Sequence, residues 1–301
     1  MKQSGKKIAV FLVLMTLCMS VATGCFDDFW DDLFDDDNGY YEYEYDENAF
    51  YGASGYEWGI SDAIDTDSLS SMQRTFEKEY GISVDASKIT AKAFRSSEYA
   101  PSLYDGPDEM QYEMMLSLCM GFSRIPEELI SLGLRVQTLS IFLMVKPDSG
   151  EEDVDGEYYP DENMLCFYCN FNPSTAVHEF NHMLTYLLMS LYGSERALCD
   201  RWMPLNDGIP YSCDYSSLTR EEQSYFYTEY ALTDVYEDIA ETSILLADGS
   251  APESNALKAK VEKLQEFYQD LLKADPKKLY INGWMYDNGG VTDEYWDDYA
   301  A

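Results

Sequence analysis

The chain has 301 residues, enough for one large or two modest domains, and its 46% hydrophobic and 15% aromatic side chains supply ample core, which excludes global disorder. Its 56 acidic side chains outnumber 20 basic ones, for a formal net charge of −36. A phosphate backbone would be repelled, and no basic run beyond the first few residues offers a local exception, so nucleic acid is excluded as a partner.

In chain order, Lys2, Lys6 and Lys7 precede an apolar run from Ile8 to Met19. That run is shorter than the roughly 20 residues of a membrane-spanning helix and matches the apolar core of a signal peptide. Ala22-Thr23-Gly24-Cys25 resembles a bacterial lipobox, with Ala22 where leucine is usual. The resemblance implies a lipoprotein signal peptide over 1–24 and a lipid on Cys25. Such a protein is anchored to a bacterial membrane on its extracytoplasmic side without spanning it. Ordinary secretion, with cleavage near Ala22 and a free Cys25 thiol, is the alternative. Residues 25–60 read as an acidic Tyr/Asp-rich tether: Asp27 to Asp37 is dominated by aspartate, and Tyr40 to Asp46 alternates tyrosine with acid. A charge block of this kind stays solvated.

The expected folded domain covers 61–275. Ser68 caps a helix to about Tyr80, and Gly81 stops it. Residues 82–106 give no clear signal. Pro107 opens a helix to about Met120, and a short helix fits Pro126 to Leu132. Val136 to Val145 reads as a strand, Asp148 to Asp161 as an acidic turn region, and Met164 to Phe171 as a second strand. Asn172 as N-cap and Pro173 at the first helical position then start a helix that ends near Tyr192, before Gly193. Val177, Phe180, Leu184, Leu187, Leu188 and Leu191 repeat at three- and four-residue spacing, so this helix packs against the core. Further helices are expected from Arg220 to about Ala231, Asp234 to about Leu246 and Glu253 to about Lys273, and 276–301 forms an acidic aromatic tail. Helices, a small β region, then helices make the fold class α+β, mostly helical with a small sheet before the histidine-bearing helix.

Five cysteines follow Cys25. Cys199 and Cys213 are candidates for a disulfide in an oxidising compartment. Cys166 and Cys169 form a C-x-x-C flanked by apolar residues, which reads as core rather than as a metal site. Cys119 completes the set, and an odd number cannot pair fully.

Only two histidines exist, and both fall in His178-Glu179-Phe180-Asn181-His182. On a helix, residues four apart share a face, so both imidazoles can grip one ion. Glu179 beside them can reach a water on that ion, the H-E-x-x-H arrangement of zinc hydrolases. Zinc requires another protein ligand and an open position. With no histidine left, that ligand is a carboxylate or a cysteine. Glu237 and Glu241, four apart on the helix that starts at Asp234, are the leading candidates. One would bind the metal while the other orients a neighbouring histidine. A solvated acidic face is the alternative.

His178-Glu179-x-x-His182, followed by Tyr230 and Glu237-Asp238-Ile239-Ala240-Glu241, resembles the lethal-factor-like gluzincins. These include Pro-Pro endopeptidases and zinc-binding metallopeptidase lipoproteins of bacteria. The resemblance covers roughly 135–250. Asn181 departs from the small residue common at its position. The resemblance implies a zincin-like metallopeptidase domain with zinc on His178, His182 and Glu237. It implies Glu179 as general base, Tyr230 as stabiliser of the transition state and Glu241 behind a ligand histidine, with Tyr227 and Tyr236 as substitutes for Tyr230. The implied activity is hydrolysis of a peptide or protein substrate at the cell surface. Two competing readings are a surface-binding lipoprotein with a structural or inactive metal site, and a non-haem iron enzyme, which also uses two histidines and a carboxylate.

Overall fold

A computed structural model describes residues 59–85, 108–144, 154–168 and 171–281. The signal peptide, Cys25, nearly all of the tether, Cys169 and the tail beyond Ile281 lie outside the described residues.

Helix α1 (Leu69–Tyr80) begins at Ser68, whose side chain accepts from the Ser71 amide, and ends at Gly81 in a left-handed conformation. Strand β1 (Ser83–Asp85) follows, then α2 (Asp108–Phe122) and α3 (Glu127–Val136). Strands β2 (Ser140–Met144), β3 (Gly156–Tyr159) and β4 (Met164–Tyr168) complete the sheet. Next come α4 (Pro173–Tyr192), α5 (Glu195–Trp202), the single turn α6 (Arg220–Gln223), α7 (Val235–Asp248) and α8 (Asn255–Lys273). The described chain is thus mixed α/β and mostly helical, with one small sheet ahead of α4, in accord with the α+β expectation.

The sheet order is β1-β2-β4-β3. β1, β2 and β4 run parallel, and β3 runs antiparallel to β4 at one edge. Side chains alternate across the sheet, as strand geometry demands. Ile141, Leu143, Leu165 and Phe167 join the main core with the helices, while Met164, Cys166 and Tyr168 form a second cluster with Phe142 and Tyr159. Asn163 turns the β3–β4 hairpin at φ 48°, a conformation asparagine tolerates. Its amide donates to the carbonyls of Gln137 and Thr138, and its oxygen accepts from Tyr158, which ties the hairpin to the start of β2.

Several expectations are corrected. Val136 closes α3 rather than opening a strand, so β2 starts at Ser140. The acidic 148–161 region contains β3, because Gly156 to Tyr159 finds its partners across the turn on β4. The helix expected from Arg220 stops at Gln223, and only a 3₁₀ turn, Tyr230–Leu232, follows before α7. The Thr219–Glu222 capping box starts that helix, but Phe226 turns into the core and ends its regularity. Cys199 and Cys213 are free thiols, since Cys199 is taken into the core on α5 while Cys213 sits half-buried in the following loop. Cys166 is a buried core cysteine as expected. Leu279 is buried in the core, so packing continues past residue 275. Among the described residues no helix is long and apolar enough to cross a membrane.

One polar knot lies within the helical core. Asp238 and Lys260 are both fully buried. The Asp238 carboxylate accepts from Lys260 Nζ at 2.7 and 2.9 Å, from Trp202 Nε1 at 2.9 Å and from the Tyr211 hydroxyl at 2.7 Å. Lys260 also lies over the Phe226 ring, 4.2 Å from its centroid. Elements α5, α7 and α8 are joined at this point.

Candidate metal centre

The site is built where α4 packs along α7 beneath the edge strand β3. α4 starts where the sequence indicates: the Asn172 side chain accepts from the amides of Ser174 and Thr175 at 2.9 and 3.1 Å. It stops at Gly193, which adopts φ 88°. The expected apolar stripe is buried, apart from half-buried Leu191. α7 starts at Asp234, whose carboxylate accepts from the amides of Tyr236 and Glu237 at 2.7 and 3.0 Å. Two capped helices in contact fix the facing side chains of each.

Those facing side chains are His178, His182, Glu237 and Glu241. His178 Nε2 lies 3.0 Å from His182 Nε2. Glu237 Oε2 lies 2.9 Å from His178 Nε2 and 3.5 Å from His182 Nε2. On the other side of the His178 ring, Nδ1 lies 2.9 Å from Glu241 Oε1. A carboxylate is an acceptor, so Nδ1 carries a proton toward Glu241, and Nε2 offers a lone pair to the cluster once a cation displaces its own proton. Glu237 Oε2 is buried and accepts no hydrogen bond despite its closeness to His178. Convergent lone pairs with an orphaned carboxylate oxygen form a donor set for a cation, and His178, His182 and Glu237 can together hold a metal ion.

The electrostatics agree. Burial opposes charge on His178, but the Glu237 and Glu241 carboxylates lying against its ring, with Glu179 nearby, raise its pKa to about 10. Burial likewise opposes ionisation of Glu237, yet the two imidazoles outweigh it and hold this carboxyl well below the usual range. Both shifts say the same thing: the cluster favours positive charge at its centre, which a proton or a metal ion can supply.

Glu179 is buried beside the cluster. Burial pushes its carboxyl up, the two histidines pull it down, and Glu237 and Glu157 add to the rise. Its position depends on Gly156 of β3. A Cβ at Gly156 would sit 2.8 Å from Glu179 Cγ and 2.9 Å from Thr175 Cγ2, so any side chain there forces the strand or the glutamate to shift.

Tyr230 lies at the mouth of the site. It is 54% exposed, and its ring centroid is 5.9 Å from that of His178. Burial of its inner part, with Glu237 and Glu179 nearby, pushes its phenol above the ordinary tyrosine range, so it remains a proton donor. Tyr236 is buried, and its hydroxyl donates to Glu195. Burial, with the charges of Asp248, Glu241 and Glu253 nearby, pushes the Tyr227 phenol above the ordinary tyrosine range. Asn181 points away from the cluster and accepts from Tyr268 of α8 at 2.7 Å, a packing role.

Thr228 and Gly156 are contributors the sequence reading missed. Thr228 carries no local signal, because its partner Glu241 is on another element. Gly156 stands at the edge of an acidic stretch that reads as a turn. No known protein-family model matches the chain, and no curated protein matches it.

Proposed function

We propose that the chain is a zinc metallopeptidase of the gluzincin type, with a zincin-like domain, held through a lipid on Cys25 to the extracytoplasmic face of a bacterial membrane. The observation that carries the reading is the convergence of His178, His182 and Glu237, with Glu179 adjacent and Glu241 behind His178. Zinc fits this donor set. Tetrahedral ligands at zinc distances lie roughly 3.3 Å apart, and the observed separations are 2.9, 3.0 and 3.5 Å. A site that is structural alone has no use for the buried glutamate beside the first histidine, which disfavours a binding lipoprotein with an inert metal. The same glutamate favours hydrolysis over iron-dependent oxygen chemistry.

When bound, zinc supplies Lewis acidity toward the scissile carbonyl and makes a neighbouring water a nucleophile near neutral pH. Glu179 takes the proton of the attacking water and passes it to the leaving amine. Tyr230 donates a hydrogen bond to the oxyanion that develops on the carbonyl. Glu241 keeps the His178 proton on Nδ1 and thereby keeps Nε2 available. The net charge of −36 favours basic peptides by steering.

The test is cleavage of a peptide library by the zinc-loaded protein, measured with and without a chelator. Chelator-sensitive cleavage is expected. In the same assay Tyr230→Phe should lower kcat by about 10²-fold, the scale of one oxyanion donor, with zinc content unchanged. Unchanged turnover in that variant would remove Tyr230 from the chemistry, and absence of any cleavage would remove the peptidase reading.

A further inference from the structure

A hydrogen-bonded chain links the Tyr230 turn to the metal cluster through a residue with no part in binding or proton transfer. The Ala231 amide lies 3.2 Å from Thr228 Oγ1 and can only donate to it. Thr228 has a single hydroxyl proton, and it goes to Glu241 Oε2 at 2.7 Å. The other Glu241 oxygen, Oε1, receives the Nδ1 proton of His178 at 2.9 Å. Both oxygens of Glu241 are thereby engaged, one toward the metal helix α4 and one toward the turn that carries Tyr230. Two bonds end on the Glu241 carboxylate, which can only accept: Thr228 donates at one oxygen and His178 at the other. That polarity leaves His178 Nε2 facing Glu237 and the cluster.

We infer that Thr228 is a positioning residue, which clamps Glu241 and the Tyr230 turn into one unit and so sets both the metal affinity of His178 and the placement of the Tyr230 phenol. This rests on the metallopeptidase reading above. Without the Thr228 hydroxyl, Glu241 loses one of its two anchors and can rotate away from His178. The Ala231 amide loses its acceptor at the same time, which frees the turn that begins at Tyr230. One side chain therefore couples a group that would hold the metal to a group that would meet the substrate.

The experiment compares Thr228→Val, Thr228→Ser and Glu241→Ala with the wild type, each also checked by thermal unfolding. Zinc dissociation constants come from competition with a chromophoric chelator, and kcat is read at saturating zinc. Thr228→Val should weaken zinc binding about tenfold, the low end for groups that orient a ligand histidine, and should lower kcat. Thr228→Ser, which keeps the hydroxyl, should restore both. Adding Thr228→Val to Glu241→Ala should change zinc affinity no further, because the two act through one bond. Wild-type zinc affinity in a folded Thr228→Val protein would overturn the inference. So would failure of Thr228→Ser to rescue, or full additivity with Glu241→Ala. Glu237→Ala serves as the control: if it binds zinc like the wild type, the metal site itself falls. If it binds weakly while Thr228→Val does not, only the role of Thr228 falls.

Discussion

Glu179→Gln should keep the wild-type zinc content and lose about 10²- to 10⁴-fold in peptide hydrolysis, the span that general acid–base catalysis contributes. The substitution is close to isosteric, and Glu179 ligates nothing in the cluster of His178, His182 and Glu237. Metal affinity therefore has no reason to change. What changes is the capacity to take a proton. Glu179 is buried against Gly156 and Thr175, where burial raises its carboxyl above the ordinary range and makes it a better base than an exposed glutamate. An amide has no such basicity. Metal analysis and a cleavage assay on the same preparation decide the matter. Undiminished hydrolysis by Glu179→Gln would end the assignment of Glu179 as base.

The largest expected effect on stability comes from the far side of α7. Lys260→Met should cost about 3–5 kcal/mol, because it strands a buried carboxylate without its cation. Asp238 is fully buried, and burial already raises its carboxyl and lowers the Lys260 ammonium, against the bonds from Lys260, Tyr211 and Trp202 that oppose this. Those remaining donors cannot replace a charge. Replacing both partners, as in Asp238→Leu with Lys260→Met, should recover much of the loss, since the unpaired charge is gone. Urea unfolding of the metal-free protein measures both variants. A loss below about 0.5 kcal/mol for the single variant, the level of an ordinary surface change, would show that the pair holds nothing. The pair also matters to the site, because Asp238 follows Glu237 directly and its bonds to α5 and α8 fix how α7 presents Glu237 and Glu241.

The legible parts of this chain are those whose signals are local. Asn172, Pro173 and Gly193 mark both ends of α4 by caps that need no distant partner, and Asp234 does the same for the start of α7. The four-residue spacing of both histidines and both glutamates then follows from helix geometry, which is why the cluster could be named from sequence. The missed parts depend on distant residues. Strand β3 exists because β4 pairs with it. Helix α5 is short, and Leu198, Cys199 and Trp202 hold it by burial rather than by helix propensity. The segment after α6 leaves the helix because Phe226 enters the core and Thr228 bonds Glu241. One missed feature did leave a trace. Leu257, Lys260, Leu264, Phe267 and Leu271 occupy one helical face, and all are buried. A lysine within such a stripe calls for a buried anion, and Asp238 is that anion.

The central claim is that His178, His182 and Glu237 hold one zinc ion. Its most direct test is bound metal per chain after zinc equilibration and removal of free metal, in the wild type and in Glu237→Ala. The account predicts about one zinc per wild-type chain, with three protein ligands, and much weaker retention by Glu237→Ala. No stoichiometric zinc in the wild type, or equal retention by both proteins, would contradict it.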